Sequence, residues 1–121
     1  HSHDRIPMIS VTTKVKDALL YISEKGFGLT GVLDNSDKMV GIITDGDVRR
    51  ALEKEGNNIF DQNADSLMSR NPRCISGSTL AISALKLMKK HSITSLFVYT
   101  DKKLKKPDGL IHIHDLLKIG I

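Results

Sequence analysis

Cysteine, tryptophan, proline and long apolar runs are all scarce in this chain of 121 residues, and each scarcity excludes something. A single cysteine, Cys74, closes no internal disulfide and supplies no thiolate cluster for structural zinc, so the chain fits a reducing cytoplasm with Cys74 as a small core residue. Three Phe, two Tyr and no Trp leave too few rings for the stacking platform of a single-strand nucleic-acid binder. The longest apolar runs, Leu96-Phe97-Val98 and Gly109-Leu110-Ile111, fall far short of the ~20 residues of a membrane helix. Neither a spanning segment nor a signal peptide is expected. An acidic excess is also missing: 18 basic against 14 acidic side chains leave a net charge of +4. The basic surplus is concentrated in DKKLKKPDG, residues 101–109. Pro107, Asp108 and Gly109 are turn formers between two strand-like runs, so this segment reads as a solvated hairpin loop rather than a nucleic-acid surface.

What is present is a folded chain with 40% hydrophobic residues, organised by an internal repeat. Gly41-Ile-Ile-Thr-Asp-Gly-Asp-Val-Arg-Arg50 overlays Gly109-Leu-Ile-His-Ile-His-Asp-Leu-Leu-Lys118, and upstream VKDALLYI (15–22) overlays AISALKLM (81–88). Apolar residues at helical spacing, Val15, Ala18, Leu19 and Ile22, then Ala81, Ala84, Leu85 and Met88, predict one buried stripe per copy. Ser78 and Thr79 are placed to cap the second of these helices, and Thr12 or Thr13 the first. After each helix come two strand-like runs joined by a turn: 31–33 with 39–44, and 95–99 with 109–113. A second amphipathic helix closes each copy, Asp45 to Glu55 and His114 to Ile119. Residues 6–9 and 73–75 supply a first strand to each, and ADSLMS (64–69) a short helical turn between the copies. The unit is β-α-β-β-α, used twice, over residues 1–60 and 61–121. Neither copy alone buries enough apolar area to be stable, so the two are expected to pack as one pseudo-symmetric α/β (α+β) domain.

Three chemistries suit GIITDGDVRR and its counterpart. Asp45 and Asp47 are paired carboxylates, which divide acid and base roles where their environments differ. His112 and His114 alternate on a strand beside Asp115, a set able to ligate zinc, although His114 is expected to open the last helix and so break the alternation. The third is a phosphate-bearing ligand. Asp47 offers acceptor oxygens to a sugar diol, Thr44 a hydroxyl to phosphate, and Gly46 a close backbone approach at a helix N-terminus. Arg49 and Arg50 lie about 100° apart around that helix. Asp45, which faces Ile113 in the other copy, reads as a local cap or dipole partner, whereas Asp47 faces Asp115 and reads as the shared ligand residue.

Tandem β-α-β-β-α units ending in Gly-apolar-apolar-Thr-x-x-Asp resemble the CBS (cystathionine-β-synthase) domain pair, or Bateman module, over essentially the whole chain. TDGDVRR (44–50), GFGLTGVLD (26–34), ALKLMKKHSITSLFV (84–98) and GLIHIHDLLKIGI (109–121) are similar to the C-terminal CBS pair of sugar-phosphate isomerases of the arabinose-5-phosphate isomerase type. That resemblance implies two repeats with pseudo-two-fold symmetry and a ligand held between them. The ligand would be a nucleotide or nucleotide sugar such as AMP or CMP-Kdo, touching Thr44, Asp45, Gly46, Asp47, Arg49 and Arg50 from one copy and His112, His114 and Asp115 from the other. At His112 the family places a hydroxyl. The resemblance further implies no catalytic residue, metal or catalytic cofactor in this stretch. It also implies an upstream sugar-isomerase (SIS) domain of the parent enzyme, a natural C-terminus at Ile121, a homodimer, and no nucleic-acid or membrane partner. The pathway would be Kdo and lipopolysaccharide synthesis; the competing reading is a ligand-free dimerisation module.

Overall fold

Hydrophobic periodicity translates directly into local structure. The computed structural model describes residues 6–120, which divide into two compact units, Pro7–Pro72 and a second made of Ile6 with residues 73–120. The first unit contains β1 (Met8–Ser10), α1 (Val15–Lys25), β2 (Leu29–Leu33), β3 (Met39–Thr44) and α2 (Asp45–Glu55), followed by 3-10 turns over Gly56–Asp61 and Ala64–Ser66. The second contains β4 (Cys74–Ser76), α3 (Ala81–His91), β5 (Ser95–Tyr99), β6 (Gly109–His112) and α4 (Ile113–Lys118). Both are the expected β-α-β-β-α unit. In each, the first strand pairs in parallel with the second and the second antiparallel with the third, giving the orders β1-β2-β3 and β4-β5-β6. Parallel pairing demands a long crossover, and α1 and α3 provide it.

The predicted stripes face the cores. Val15 and Ile22 of α1 join Val32, Ile43, Val48, Ala51, Ile59, Ala64 and Met68 in the first unit's core, with Leu19 packed against it. Ala84 and Met88 of α3 join Ile75, Leu96, Val98 and Leu116 in the second, with Ala81 and Leu85 at the margin. The hairpin between β2 and β3 turns on Asp34, whose carboxylate accepts from Ser36 N–H (2.8 Å) and Lys38 N–H (3.0 Å). In the lysine loop between β5 and β6, Asp101 accepts from Lys103 N–H (2.9 Å), and Asp108 takes both the amide and the hydroxyl of Thr100. Residues 101–105 are exposed, as a solvated loop should be.

Several expectations fail for identifiable reasons. Neither α1 nor α3 is capped by the hydroxyls assigned to it: their N-caps are Lys14 and Leu80, and neither makes a side-chain capping bond. The hydroxyls instead close the strand-to-helix turn one step earlier. Thr13 Oγ1 accepts from Ser10 N–H, and the Ser76 hydroxyl bonds those of Ser78 and Thr79. One extended residue then separates the turn from the helix, leaving the hydroxyls short of the first free amides. The last helix starts at Ile113 rather than His114, because Ile113 N–H donates to Thr94 C=O (2.8 Å) and His112 becomes the N-cap.

Residues 61–72, between the two repeats, belong to the first compact unit, because they complete its hydrogen bonding. Gln62 C=O accepts from Val15 N–H (2.9 Å), Ala64 N–H donates to Thr13 C=O (2.8 Å), and Ser69 exchanges both backbone bonds with Ile42 on the outer edge of β3. An edge left bare there would carry unpaired backbone groups.

The approach of this segment to β3 sets a packing demand at Gly41. A Cβ on Gly41 would lie 2.5 Å from Met68 Sδ, 2.7 Å from Cγ and 3.0 Å from Cβ, whereas one on the equivalent Gly109 would meet Val98 Cβ at 3.2 Å. Gly41→Ala should therefore destabilise the chain by about 1–3 kcal/mol, and Gly109→Ala by less. Urea denaturation of the two variants checks the order; equal losses would mean that Met68 moves aside without cost.

Candidate functional site

The candidate residues sit where the last strand of each unit becomes its last helix. In the first unit, Thr44 ends β3 opposite Leu29 and has extended backbone angles, which makes it the N-cap of α2. Its Oγ1 accepts from Asp47 N–H at 3.0 Å, and Asp47 Oδ2 accepts from Thr44 N–H at 2.9 Å. This reciprocal pair is a capping box, here closed by Asp. The first helical amide, Asp45 N–H, donates to Gly28 C=O at 3.1 Å. Of the first three amides, Gly46 N–H alone finds no acceptor among the described residues.

Asp47 has a second commitment. Its outer oxygen, Oδ1, accepts from Arg50 Nη2 at 2.7 Å; the Arg50 side chain is 65% exposed and that of Asp47 26%. Both arginines fold back toward the helix start: the position of a Cβ on Gly46 lies 3.1 Å from Arg50 Nη1 and 3.6 Å from Arg49 Nη2. Gly46 itself is buried. Thr44, Gly46, Asp47, Arg49 and Arg50 are thus one cluster. Asp45 is exposed in the first turn, and its carboxylate makes no bond among the described residues. Of the two aspartates it is Asp47, not Asp45, that closes the capping box on Thr44, because only a side chain at the third helical position reaches back to the N-cap amide, while Asp45 keeps the expected place of an anion in the first turn.

In the second unit, His112 ends β6 opposite Ser95 and caps α4. Asp115 Oδ2 accepts from His112 N–H at 2.9 Å, and His112 Nδ1 accepts from His114 N–H at 3.2 Å. The His112 and His114 rings stack with centroids 4.8 Å apart. Partial burial, reinforced by His114 and opposed by Asp115, lowers the pKa of His112, which keeps Nδ1 free to accept. The junction repeats the first in backbone form: Ile113 N–H meets Thr94 C=O as Asp45 N–H meets Gly28 C=O.

Among the described residues no group of three His, Cys, Asp or Glu side chains is placed to hold a metal. Burial pushes the Cys74 thiol up to about 11, so it is no thiolate nucleophile near neutral pH. No helix of the described residues is long and apolar enough to cross a membrane. Sequence reasoning passed over Gly28 and Thr94, whose carbonyls anchor the two junctions. Gly28 has φ +75°, a backbone state that favours glycine, so the GFG of residues 26–28 was the available signal.

Comparison with known proteins gives this geometry a family. The CBS domain model matches residues 2–54 and again residues 64–120. The arabinose 5-phosphate isomerase KdsD of Francisella tularensis is 41% identical over 119 residues, covering 98% of this chain and 35% of that protein. KdsD of Pseudomonas aeruginosa is 35% identical over 121 residues, covering 100% of this chain and 36% of that protein. The chain thus spans about a third of the length of these relatives. Among solved structures, a CBS-domain protein of Agrobacterium tumefaciens, ATU1752, superposes with a TM-score of 0.84 at 18% identity, over 96% of this chain and 84% of that one. A putative signal-transduction protein with CBS domains from Burkholderia ambifaria gives 0.82 at 28% identity, over 96% and 82%. CBSX2, solved in complex with AMP, gives 0.77 at 22% identity, over 98% and 89%. Two family matches spanning nearly all of the sequence, each containing one of the two capped junctions, establish that this chain belongs to the CBS domain family and is a pair of such domains.

Proposed function

We propose that the chain is the ligand-sensing CBS pair of an arabinose 5-phosphate isomerase and that its ligand is a nucleotide or nucleotide sugar. The observation that carries this reading is the cluster at the start of α2: a free Gly46 amide, the Thr44 hydroxyl, and the Arg49 and Arg50 guanidinia gathered over a residue with no side chain. Free amides and guanidinia at a helix N-terminus suit a phosphoryl group. Two relatives are KdsD enzymes, and CBSX2, a fold relative, was solved with AMP. In the proposed parent the isomerase chemistry belongs to the SIS domain, in the cytoplasm. This pair biases that domain by preferring one arrangement when occupied. Arabinose 5-phosphate feeds Kdo synthesis, and CMP-Kdo, the activated product, carries phosphate, ribose and carboxylate together, which makes it the feedback ligand of choice. His112, His114 and Asp115 are the proposed contacts from the second copy.

The test is a thermal-shift panel of CMP-Kdo, CMP, AMP, ATP and S-adenosylmethionine. A ligand at 100 times its dissociation constant stabilises the fold by about 2.7 kcal/mol, which a panel of this kind resolves. CMP-Kdo should raise the melting temperature; a flat response across all five compounds would remove the sensing role. The chain alone should not interconvert arabinose 5-phosphate and ribulose 5-phosphate.

A second reading, self-association, has its own observation. Leu80 and Ile82 near the start of α3 and Leu117 and Ile119 near the end of α4 are large apolar residues with 70%, 47%, 52% and 65% of their surface exposed. Such residues mark a contact surface when they gather on one unit. The proposed homodimer should therefore shift to monomer in Leu117→Asp/Ile119→Asp, measured by sedimentation velocity. A monomeric parent chain would dispose of this reading and leave the first intact.

A further inference from the structure

Charge is unevenly divided between the two units. The first carries ten acidic and eight basic side chains, whereas residues 73–120 carry three acidic and nine basic, eight of them lysines. Each of the second unit's three carboxylates is engaged by its own backbone: Asp101 accepts from Lys103 N–H, Asp108 from Thr100 N–H and Asp115 from His112 N–H, all at 2.9 Å. Those bonds hold two turns and a helix cap in place.

Four of the lysines sit in one loop. Lys102, Lys103, Lys105 and Lys106 flank Leu104, two on each side, in the nine residues that join β5 to β6. The hairpin itself does not require them, since the first unit joins β2 to β3 with five residues, 34–38, of which two are acidic and one basic. The lysine loop is nonetheless shaped. Leu104 N–H donates to Asp101 C=O (3.1 Å), Asp108 N–H donates to Val98 C=O (3.1 Å), and Pro107 is buried at the base. Residues 101–105 are exposed, and Leu104 keeps 41% of its surface in solvent. An aliphatic side chain is thus held out on an ordered turn between paired lysines.

Composition decides what such a loop fits. Specific pairing with carboxylates or nucleic-acid phosphates favours the planar fork of arginine and, for single strands, stacking rings. Residues 100–108 contain neither. Lysine is a point charge on a long aliphatic stem, which suits a diffuse negative surface with an apolar layer beneath it. We propose that the loop of residues 100–108 is a peripheral docking surface for an anionic lipid bilayer. Leu104 enters the apolar layer while the lysine ammonium groups stay among the lipid head groups. No described helix is long and apolar enough to cross a membrane, so the contact is made from one side. The CBS resemblance implies no membrane partner; the composition and shape of this loop carry the inference, which stands apart from nucleotide sensing.

Co-sedimentation of the chain with phosphatidylcholine vesicles, with and without about one-third phosphatidylglycerol, tests it at low and physiological salt. Binding to the anionic vesicles should exceed that to neutral ones at least about 10-fold and fall as salt rises. Each lysine near such a surface contributes about 5-fold to partitioning, so Lys102→Gln/Lys103→Gln should lose at least about 10-fold. Leu104→Ser, which removes the apolar anchor and leaves the charge, should weaken binding about 3-fold or more. The charge-matched control Lys38→Gln/Lys54→Gln, two exposed lysines of the first unit, should change binding by less than about 2-fold, because charges away from the contact are screened. An equal loss in the control would reduce the effect to net charge and overturn the inference. Equal binding to neutral vesicles, or binding to neither, overturns it as well. Retention on immobilised polyglutamate or polyuridylate without binding to anionic vesicles would assign the loop to an acidic chain instead. Circular dichroism melts that match the parent establish that each variant is folded.

Discussion

A strand that turns into a helix within one residue must satisfy the first helical amides from its own immediate surroundings, and the rest of this structure hangs on how that is done. At Thr44 the solution has three parts: the first amide goes to Gly28 C=O across the sheet, the third to the Thr44 hydroxyl, and the Thr44 amide to Asp47. Each bond is worth about 1 kcal/mol net, and together they fix the angle at which α2 leaves β3. That angle decides where Val48 and Ala51 enter the core and where Arg49 and Arg50 are carried. His112, Asp115 and Thr94 solve the same problem in the second unit. The family motif is thus first a statement about folding, and any ligand contact is made by groups that the cap has already oriented.

The two copies keep this backbone solution and diverge in chemistry. Thr44 is matched by His112, Asp45 by Ile113, Gly46 by His114, Arg49 by Leu117 and Arg50 by Lys118. One junction keeps a free amide beneath two guanidinia. The other fills the same place with stacked imidazoles, one of which spends its acceptor nitrogen on the backbone. Divergence of this kind leaves one backbone solution carrying unlike side chains, since the cap tolerates any acceptor of the right reach.

Legibility in the sequence followed the range of the interaction. The stripes of α1 and α3, the hairpins, and the bounds of α2 and β5 came directly from periodicity and turn residues, because these depend on neighbours within a few positions. The failures were longer in range or finer in geometry. Nothing local to residues 61–72 announces that they pair with β3 and with the start of α1; that depends on an edge supplied by another part of the chain. Ser78 and Thr79 are the right residue types for a cap and sit one residue too early. The repeat tells Asp45 from Asp47 but assigns the cap to the wrong one, because only the third helical position reaches the N-cap amide.

Asp47 shows how far a motif carries a functional argument. The repeat identified it, by its match with Asp115, as the carboxylate that matters, and the structure divides it in two. Oδ2 is bound into the fold, where its loss would fray the first turn of α2. Oδ1 is held only by an exposed guanidinium, a contact that water and salt weaken. A side chain with one structural and one exchangeable oxygen can carry a ligand-dependent rearrangement without unfolding its helix, because the cap holds whichever partner Oδ1 has. That division lets the contact at Oδ1 change while the start of the helix stays capped.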